Sequence, residues 1–263
     1  FTSGSMKNVE KVELTNSSNA DLAFKASNVE GVTKYVVTDA VDKNTTISDV
    51  ASLADIEISG TADTANTNLT VTYASTSTVA TGTQTDVQNL KVTNQGSINT
   101  KTDGTTDAKF MTVDIDKVET LAITTAGTAN SLNLLASADV KTITVTGEGQ
   151  TEIQAVGAAT TSFDASAATG KVIADLSSAA SNSLTTVKGG SSDDSLTVVA
   201  DDLTTSATVA GGAGSDKLII GANLGKTLQL AMTGVETLEV GAITSALTFS
   251  GTNVSDLTTL KVQ

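Results

Sequence analysis

The sequence predicts an all-β fold, a parallel β-solenoid with rungs of about 22 residues and lateral insertions. Three observations lead to this prediction. A short apolar template recurs along the chain, each copy ends in an alternation of apolar and polar residues, and the apolar side chains are slender. Apolar residues make up 39% of the chain and aromatic residues only 3%, so Val, Leu, Ile and Ala must fill the interior.

The recurring template is clearest in two distant segments. Residues 6–14 read Met-Lys-Asn-Val-Glu-Lys-Val-Glu-Leu, and residues 232–240 read Met-Thr-Gly-Val-Glu-Thr-Leu-Glu-Val. Their shared kernel is apolar-x-x-apolar-x-apolar. It also begins at Val87, Val118, Val140 and Leu257, with looser copies at Val29–Val37 and Val50–Ile58. The copies at Val118 and Val140 start about 22 residues apart, a spacing that favours stacked rungs.

Each kernel ends in a half-buried strand, because β-branched and aliphatic residues alternate there with Thr, Glu or Lys. We expect Val12 and Leu14, and likewise Ile143 and Val145, to point inward. The stretches Gly60–Gly82 and Asn94–Lys109 interrupt the spacing, and we interpret both as lateral insertions. A chain of two or three β-sandwich domains is the alternative fold. Disorder is disfavoured, because only 17% of residues are charged and the mean hydropathy is +0.07.

The composition excludes several classes of function. The chain has no His, Cys, Trp or Pro, which removes His-based catalysis, zinc, haem and iron–sulfur sites, and disulfides. Oxygen ligands remain, and these suit calcium or magnesium. A net charge of −14 without a basic cluster argues against nucleic acid. No apolar run is long enough to insert into a membrane. Residues 1–10 lack the pattern of a signal peptide, so we expect a segment of a longer chain.

Two glycine–aspartate loops are the candidate metal site. Residues 211–219 fit the nonapeptide G-G-x-G-x-D-x-U-x, and residues 189–197 form a degenerate copy. Glycines allow the tight backbone turns that point carbonyl groups at one place, and the aspartate adds charge. The candidate ligands are Gly189, Ser191, Asp193, Asp194, Gly211, Ala213, Ser215 and Asp216.

The spacing of the two loops places them in neighbouring rungs. Gly189 and Gly211 are about 22 residues apart, so we expect the loops to stack at one corner with Asp194 and Asp216 flanking a single ion. Ordinary glycine turns with solvated aspartates are the alternative. Asp164 is a further candidate ligand, about one rung earlier. We interpret Asp201 and Asp202 as solvated carboxylates, because no glycine framework surrounds them.

The nonapeptide resembles that of RTX-type, type I-secreted proteins of Gram-negative bacteria. The Thr/Ala/Val-rich rungs and the segment Phe163–Ala167 are similar to the S-layer proteins within that group. The resemblance implies an RTX-like β-roll, with solenoid rungs over residues 1–160 (insertions 60–82 and 94–109) and calcium-binding rungs, continuous with them, over 161–263. It also implies Ca²⁺ as the cofactor, secretion to the bacterial cell surface and self-assembly into a lattice. Lipopolysaccharide would be contacted through regions outside this chain.

Two other functions remain open at this stage. A calcium-stiffened stalk of a secreted adhesin would use the same rungs and the same ions. A polysaccharide-active β-helix enzyme is disfavoured, because the chain has no Arg or His and only two Tyr residues on which a sugar could stack. We therefore expect a structural protein without catalytic residues.

Overall fold

The fold is described from a computed structural model, which covers residues 6–15, 20–38, 42–60, 66–77, 79, 85–98, 109–221, 231–241, 254 and 256–262. Within these ranges the chain forms two parallel β-sheets and two single 3₁₀ turns, Ala26–Asn28 and Ala200–Asp202. The two sheets face each other across a narrow core. The chain winds between them as a β-solenoid of about 9 turns, with rungs of about 22 residues. The predicted fold class is confirmed.

Each full turn contributes one strand to each sheet. The first sheet contains, in the described ranges, β1 Lys11–Thr15, β3 Lys34–Thr38, β5 Asp55–Ser59, β7 Val87–Thr93, β9 Thr120–Ala126, β11 Thr142–Gly147, β13 Ser162–Ala168, β15 Leu184–Lys188, β17 Leu203–Ala210 and β19 Ala231–Thr233. The second contains β2 Leu22–Lys25, β4 Thr45–Val50, β6 Thr67–Tyr73, β8 Met111–Ile115, β10 Asn130–Asn133, β12 Thr151–Ala155, β14 Val172–Asp175, β16 Ser195–Val198, β18 Lys217–Ile220, β20 Thr237–Val240 and β21 Thr259–Val262.

The core is a stack of slender side chains, one layer per rung. The predicted inward residues Ile143 and Val145 are fully buried, and Leu121 and Ile123 lie directly beside them in register on β9. Val12 and Leu14 also point inward, but they are only partly buried because β1 is the first strand of its sheet. Period-two alternation thus places the apolar set on one face of each strand.

Two details of the predicted architecture were wrong. The template predicts one strand per rung, whereas each turn has two. The stretch 60–82 is not simply a lateral insertion, because it contains β6, a strand of the second sheet with Leu69 and Val71 in the core. In the stretch 94–109, an antiparallel bridge joins Ser97 to Lys109, and residues 99–108 lie outside the described residues.

Across the described residues, no helix has the length and apolar character needed to span a membrane.

Candidate metal site

The two glycine–aspartate loops lie at one corner of the solenoid, where the chain passes from the first sheet to the second. The upstream loop joins β15 to β16, and the downstream loop joins β17 to β18. The strands that follow them pair in register, Ser195 opposite Lys217. The backbones are in close contact, since a Cβ built on Gly189 would lie 2.2 Å from the Gly211 carbonyl oxygen. The two loops therefore stack as their spacing predicts.

Glycine continues beyond the two loops at this corner. A Cβ on Gly170 would lie 2.4 Å from the Glu148 carbonyl oxygen, and one on Gly234 would lie 2.6 Å from that of Gly212. Gly212 and Gly214 also have φ values of +115° and +127°, which non-glycine residues rarely adopt. Successive rungs approach too closely here for side chains, which explains why the glycines recur.

Acidic side chains connect the backbone of each rung to the next at the same corner. The Val172 N–H donates to Oδ1 of Asp194, the Asp194 N–H donates to Oδ1 of Asp216, and the Asp216 N–H donates to Oε2 of Glu236, each at 2.7 Å. We call Asp194, Asp216 and Glu236 the carboxylate ladder. Asp194 and Asp216 are each only 2% exposed. The alternative of solvated aspartates is therefore wrong for these two residues.

The two aspartates differ in how fully their oxygens are bonded. Oδ2 of Asp194 accepts the Gly190 N–H of its own loop, so both of its oxygens have backbone donors. Oδ2 of Asp216 is buried and has no hydrogen-bond partner. Gly212 takes a positive φ that Gly190 does not share, and no N–H of the downstream loop reaches Oδ2. The loop with the complete nonapeptide thus leaves one buried carboxylate oxygen unsatisfied.

The electrostatics follow from this arrangement. Burial raises the pKa of Asp216 to about 6; the N–H of Asp194 opposes the increase, while the carboxylates of Asp194, Glu236 and Asp193 add to it. Burial also raises the pKa of Asp194, although the N–H groups of Gly190 and Val172 partly offset it. A bound cation would favour the charged form of Asp216 and so lower its pKa.

The other predicted ligands of the loops hold the rungs together through their N–H groups. The Gly189 N–H donates to the Ala210 carbonyl, that of Ser191 to the Ala168 carbonyl and that of Ala213 to the Gly190 carbonyl. The Ser215 N–H donates to Oδ1 of the exposed Asp193 at 2.8 Å. Asp193 is thus a second acidic connection between the two loops. Gly211 donates its N–H to the Thr233 carbonyl.

Asp164 lies apart from this corner. It is on β13, on the outer face of the first sheet, where Lys188 Nζ lies 2.8 Å from its Oδ2. Ser166 donates both its N–H and its hydroxyl to Oδ1. Burial opposes ionisation of Asp164, but the bonds from Lys188 and Ser166 outweigh it and lower the pKa. The structure therefore does not bring Asp164 together with the two loops.

The corner fits a cation only in part. No group of three or more Asp, Glu, His or Cys side chains that could hold a metal occurs within the described ranges. Calcium takes six to eight oxygen ligands. Asp216 Oδ2 is a free acidic oxygen facing the glycine backbone, so peptide carbonyls of the stacked loops would have to supply most of the remaining ligands.

Sequence reasoning missed Glu236, the third member of the ladder. The sequence does contain a signal for Glu236, because it stands two residues before the apolar Leu238, just as Asp216 stands two residues before Leu218. The interpretation of Asp202 as solvated was also wrong, because this residue is 4% exposed and belongs to a 3₁₀ turn.

The chain was compared with known protein families, with curated proteins and with solved structures, and none of them matches it.

Proposed function

We propose that this chain is a structural segment of a bacterial surface layer, a secreted protein that assembles with itself into a calcium-dependent two-dimensional lattice on the cell surface. The observation that carries the calcium dependence is the buried, unpartnered Oδ2 of Asp216 at a corner of stacked glycine loops. A buried carboxylate oxygen without a hydrogen-bond partner is costly, and a cation is a partner that would compensate it.

The calcium ion would act as a bridge between rungs. In this proposal Asp216 supplies the charged ligand, the carbonyls of the Gly189 and Gly211 loops supply neutral oxygens, and Asp193 and Glu236 lie close enough to strengthen the negative potential. Calcium supplies positive charge that joins acidic groups of successive rungs, which stiffens the solenoid. It would also reduce repulsion between copies that carry a net charge of −14.

A structural role agrees with the outer surface of the described residues. A shallow cavity of about 220 Å³ on the first sheet contains Glu57, but Lys34 and Lys91 hold that carboxylate at 2.7 and 2.9 Å. Both lysines bind the one carboxylate, so this cavity offers no free acid–base pair for glycoside hydrolysis. The Glu57 cavity therefore gives no support to a polysaccharide-active enzyme.

Electron microscopy with and without calcium tests the proposal. We expect ordered two-dimensional sheets when millimolar calcium is added to the wild-type chain, and none in a chelator. The variant Asp216→Asn should need much more calcium, whereas Asp175→Asn, which removes an equal charge from the outer face of β14, should assemble as the wild type does.

The same experiment separates the lattice from the adhesin stalk. Calcium-dependent stiff rods without two-dimensional order would support the stalk instead. Sheets that form equally in calcium and in chelator would contradict the calcium proposal. A melting temperature that calcium raises equally in wild type and in Asp216→Asn would show that the ion binds elsewhere.

A further inference from the structure

The outer face of the first sheet changes character along the solenoid. In six neighbouring strands of this sheet, the outward-facing side chains are almost exclusively those of Thr, Ser and Ala. These strands are β9, β11, β13, β15, β17 and β19. We call the outward-facing side chains of these six strands the hydroxyl face. One row of it, in register across five strands, consists of Thr120, Thr142, Ser162, Thr186 and Thr208. Asp164 and Lys188 are the only charged residues in the six strands, all of which lie within the described residues.

The neighbouring surfaces are charged. The four preceding strands of the same sheet, β1 to β7, carry Lys11, Glu13, Lys34, Asp55, Glu57 and Lys91. On the other side of the molecule, the second-sheet strands from β12 to β20 carry Glu152, Asp175, Lys217 and Glu239. The hydroxyl face is therefore a nearly uncharged patch on a chain with a net charge of −14.

This charge distribution selects the face on which a second copy can approach. The second-sheet face carries three acidic residues and one Lys, so two copies that meet there repel each other. The β1–β7 face has equal numbers of Lys and acidic residues, but six charged groups would lose water when it is covered, whereas the hydroxyl face has only one ion pair to cover. Thr, Ser and Ala side chains have few rotatable bonds, so little side-chain entropy is lost when they are covered. Their hydroxyl groups can also donate and accept hydrogen bonds with an identical surface.

The single ion pair of the face makes the surface self-complementary. Asp164 and Lys188 lie directly opposite each other on β13 and β15, with 2.8 Å between Oδ2 and Nζ. These two strands are the middle pair of the six. A two-fold axis that lies between the two faces, parallel to the strands and midway between β13 and β15, places Asp164 of one copy over Lys188 of the other, and the reverse. A two-fold contact here therefore pairs every charge with its opposite.

We propose that the hydroxyl face is a self-association surface, on which a second copy of this chain docks face to face about a two-fold axis at Asp164 and Lys188. This inference rests on the proposed function, because it names one of the contacts from which a lattice would be built.

The size of the face sets the strength of the contact. Six strands about 4.8 Å apart span about 24 Å, and three outward residues per strand span about 14 Å. The area that these two lengths enclose is smaller than the roughly 800 Å² that each partner buries in a stable complex. One contact alone is therefore weak, with dissociation expected at about millimolar concentration, and it becomes effective when many copies repeat it in an array.

Charge reversal with mixing tests the contact in solution. Asp164→Lys gives a face with two lysines, and Lys188→Asp gives a face with two aspartates. Sedimentation of the chain at about millimolar concentration should show association for the wild type and for an equimolar mixture of the two variants, but not for either variant alone. Circular dichroism establishes that each variant is folded. Thr142→Glu, which adds a charge without breaking the ion pair, should also abolish association.

The second sheet offers a matched control. Lys217 and Glu239 form an outer-face ion pair at 4.0 Å, and Lys217→Asp and Glu239→Lys change the charge equally there. Both control variants should associate as the wild type does. The proposal is overturned if the control variants lose association as the face variants do, if the wild type stays monomeric at millimolar concentration, or if the mixture fails to associate.

Two further outcomes separate this inference from the proposed function. Calcium-dependent sheets that form equally well in the wild type and in Thr142→Glu would keep the lattice and reject this face as a contact. Association in solution without any ordered sheet would keep the face and reject the lattice. Binding of a neutral polysaccharide that competes with a second copy for the hydroxyl face would assign it to another partner and overturn the proposal.

Discussion

The backbone N–H of Asp194 donates to Oδ1 of Asp216 at 2.7 Å, so a carboxylate in one rung accepts the hydrogen bond of a peptide group in the rung before it. The two residues are 22 positions apart, one full turn of the solenoid. Strand pairing stops at the corners, and this side chain continues the hydrogen bonding there. The bond therefore extends the ladder between strands around the bend of the chain.

Serine performs the corresponding role at the opposite corner, where the chain leaves the second sheet. The Ser137 hydroxyl accepts the N–H of Ile115 at 3.2 Å and donates to the Val113 carbonyl at 2.8 Å. Ser178 repeats this pattern with both the N–H and the carbonyl of Val156. A hydroxyl both accepts and donates, so this connection is neutral. A carboxylate only accepts, so it satisfies the N–H and leaves the carbonyl to another donor. Aspartate takes this role at the opposite corner too, where Asp116 accepts the Tyr73 N–H and Asp139 accepts the Lys117 N–H.

Asp194→Ala should destabilise the fold strongly. The substitution removes the acceptor of two buried N–H groups, those of Val172 and Gly190. Leaving both without a partner costs about 2–4 kcal/mol. Asp175→Ala is the control, because Asp175 accepts only the nearby Ser177 N–H and should cost under about 1 kcal/mol. Chemical denaturation of the two variants measures the difference, and equal losses would contradict the structural role of Asp194.

Gly211→Ala should prevent close stacking of the rungs. The new Cβ would lie 1.7 Å from the Gly234 carbonyl oxygen and 2.6 Å from Asp216 Cβ, so the backbone would have to move. We expect the free energy of unfolding to fall by more than about 3 kcal/mol. Gly221→Ala is the matched control, because among the described residues its Cβ would contact only the Val198 carbonyl oxygen, at 3.8 Å. Thermal melting of the control should therefore differ little from that of the wild type.

Acid should stabilise the calcium-free chain between about pH 6 and pH 4. The pKa of Asp216 is about 6 in the folded chain and 3.8 in a model compound, so the folded chain holds this proton more tightly. The stabilisation by this proton is complete below pH 3.8 and is lost as the pH rises through about 6. Melting curves in a chelator should show this trend.

Asp216→Asn provides the control for the pH experiment. The amide is uncharged at every pH, so the variant should have a higher melting temperature than the wild type at pH 7 in a chelator. Its melting temperature should also change much less than that of the wild type between pH 6 and pH 4. It should also lose the stabilisation by calcium. A variant with the pH profile of the wild type would show that another group is responsible.

Glu57→Gln should have little effect at neutral pH. The two lysines lower the pKa of Glu57 to about 2, chiefly through hydrogen bonds from Lys34 and Lys91. All three side chains are partly exposed, and ion pairs of this kind contribute about 0–1 kcal/mol. The contribution is complete above about pH 4.5, where Glu57 is charged in both the folded and the unfolded chain. It is lost as the pH falls towards 2, because the carboxylate of the folded chain is then protonated. A neutral-pH loss above about 2 kcal/mol would contradict this expectation.

The first six strands of the first sheet, β1 to β11, and the last two of the second sheet, β20 and β21, were predictable because the template repeats in them. Ile143 and Val145, for example, stand between threonines, a pattern typical of a half-buried strand. The other strands of the second sheet were harder to recognise. In β12 the inward residues are Thr151 and Ile153, and the polar one breaks the apolar pattern although it is fully buried. Its hydroxyl bonds to Thr125 and Gly149 satisfy it there, and a sequence does not display such partners.

The candidate site was predictable in position but not in detail. The spacing of Gly189 and Gly211 indicates stacked loops, which the structure has. The burial of Asp194 and Asp216 depends on backbone N–H groups from neighbouring rungs, and residue spacing alone does not report where those groups point. Glu236 was missed because no complete nonapeptide surrounds it.

Among the described strands, pairing joins only neighbouring rungs, since each strand bonds to the strands of its own sheet one turn before and one turn after it. The length of the molecule can therefore be changed by gaining or losing whole rungs, in steps of about 4.8 Å. A new rung whose inward side chains fit those of its two neighbours would leave the registers of the remaining rungs unchanged. The loss of half a rung would instead set a strand of one sheet against the other sheet. Selection on length in such a chain acts in units of one complete turn.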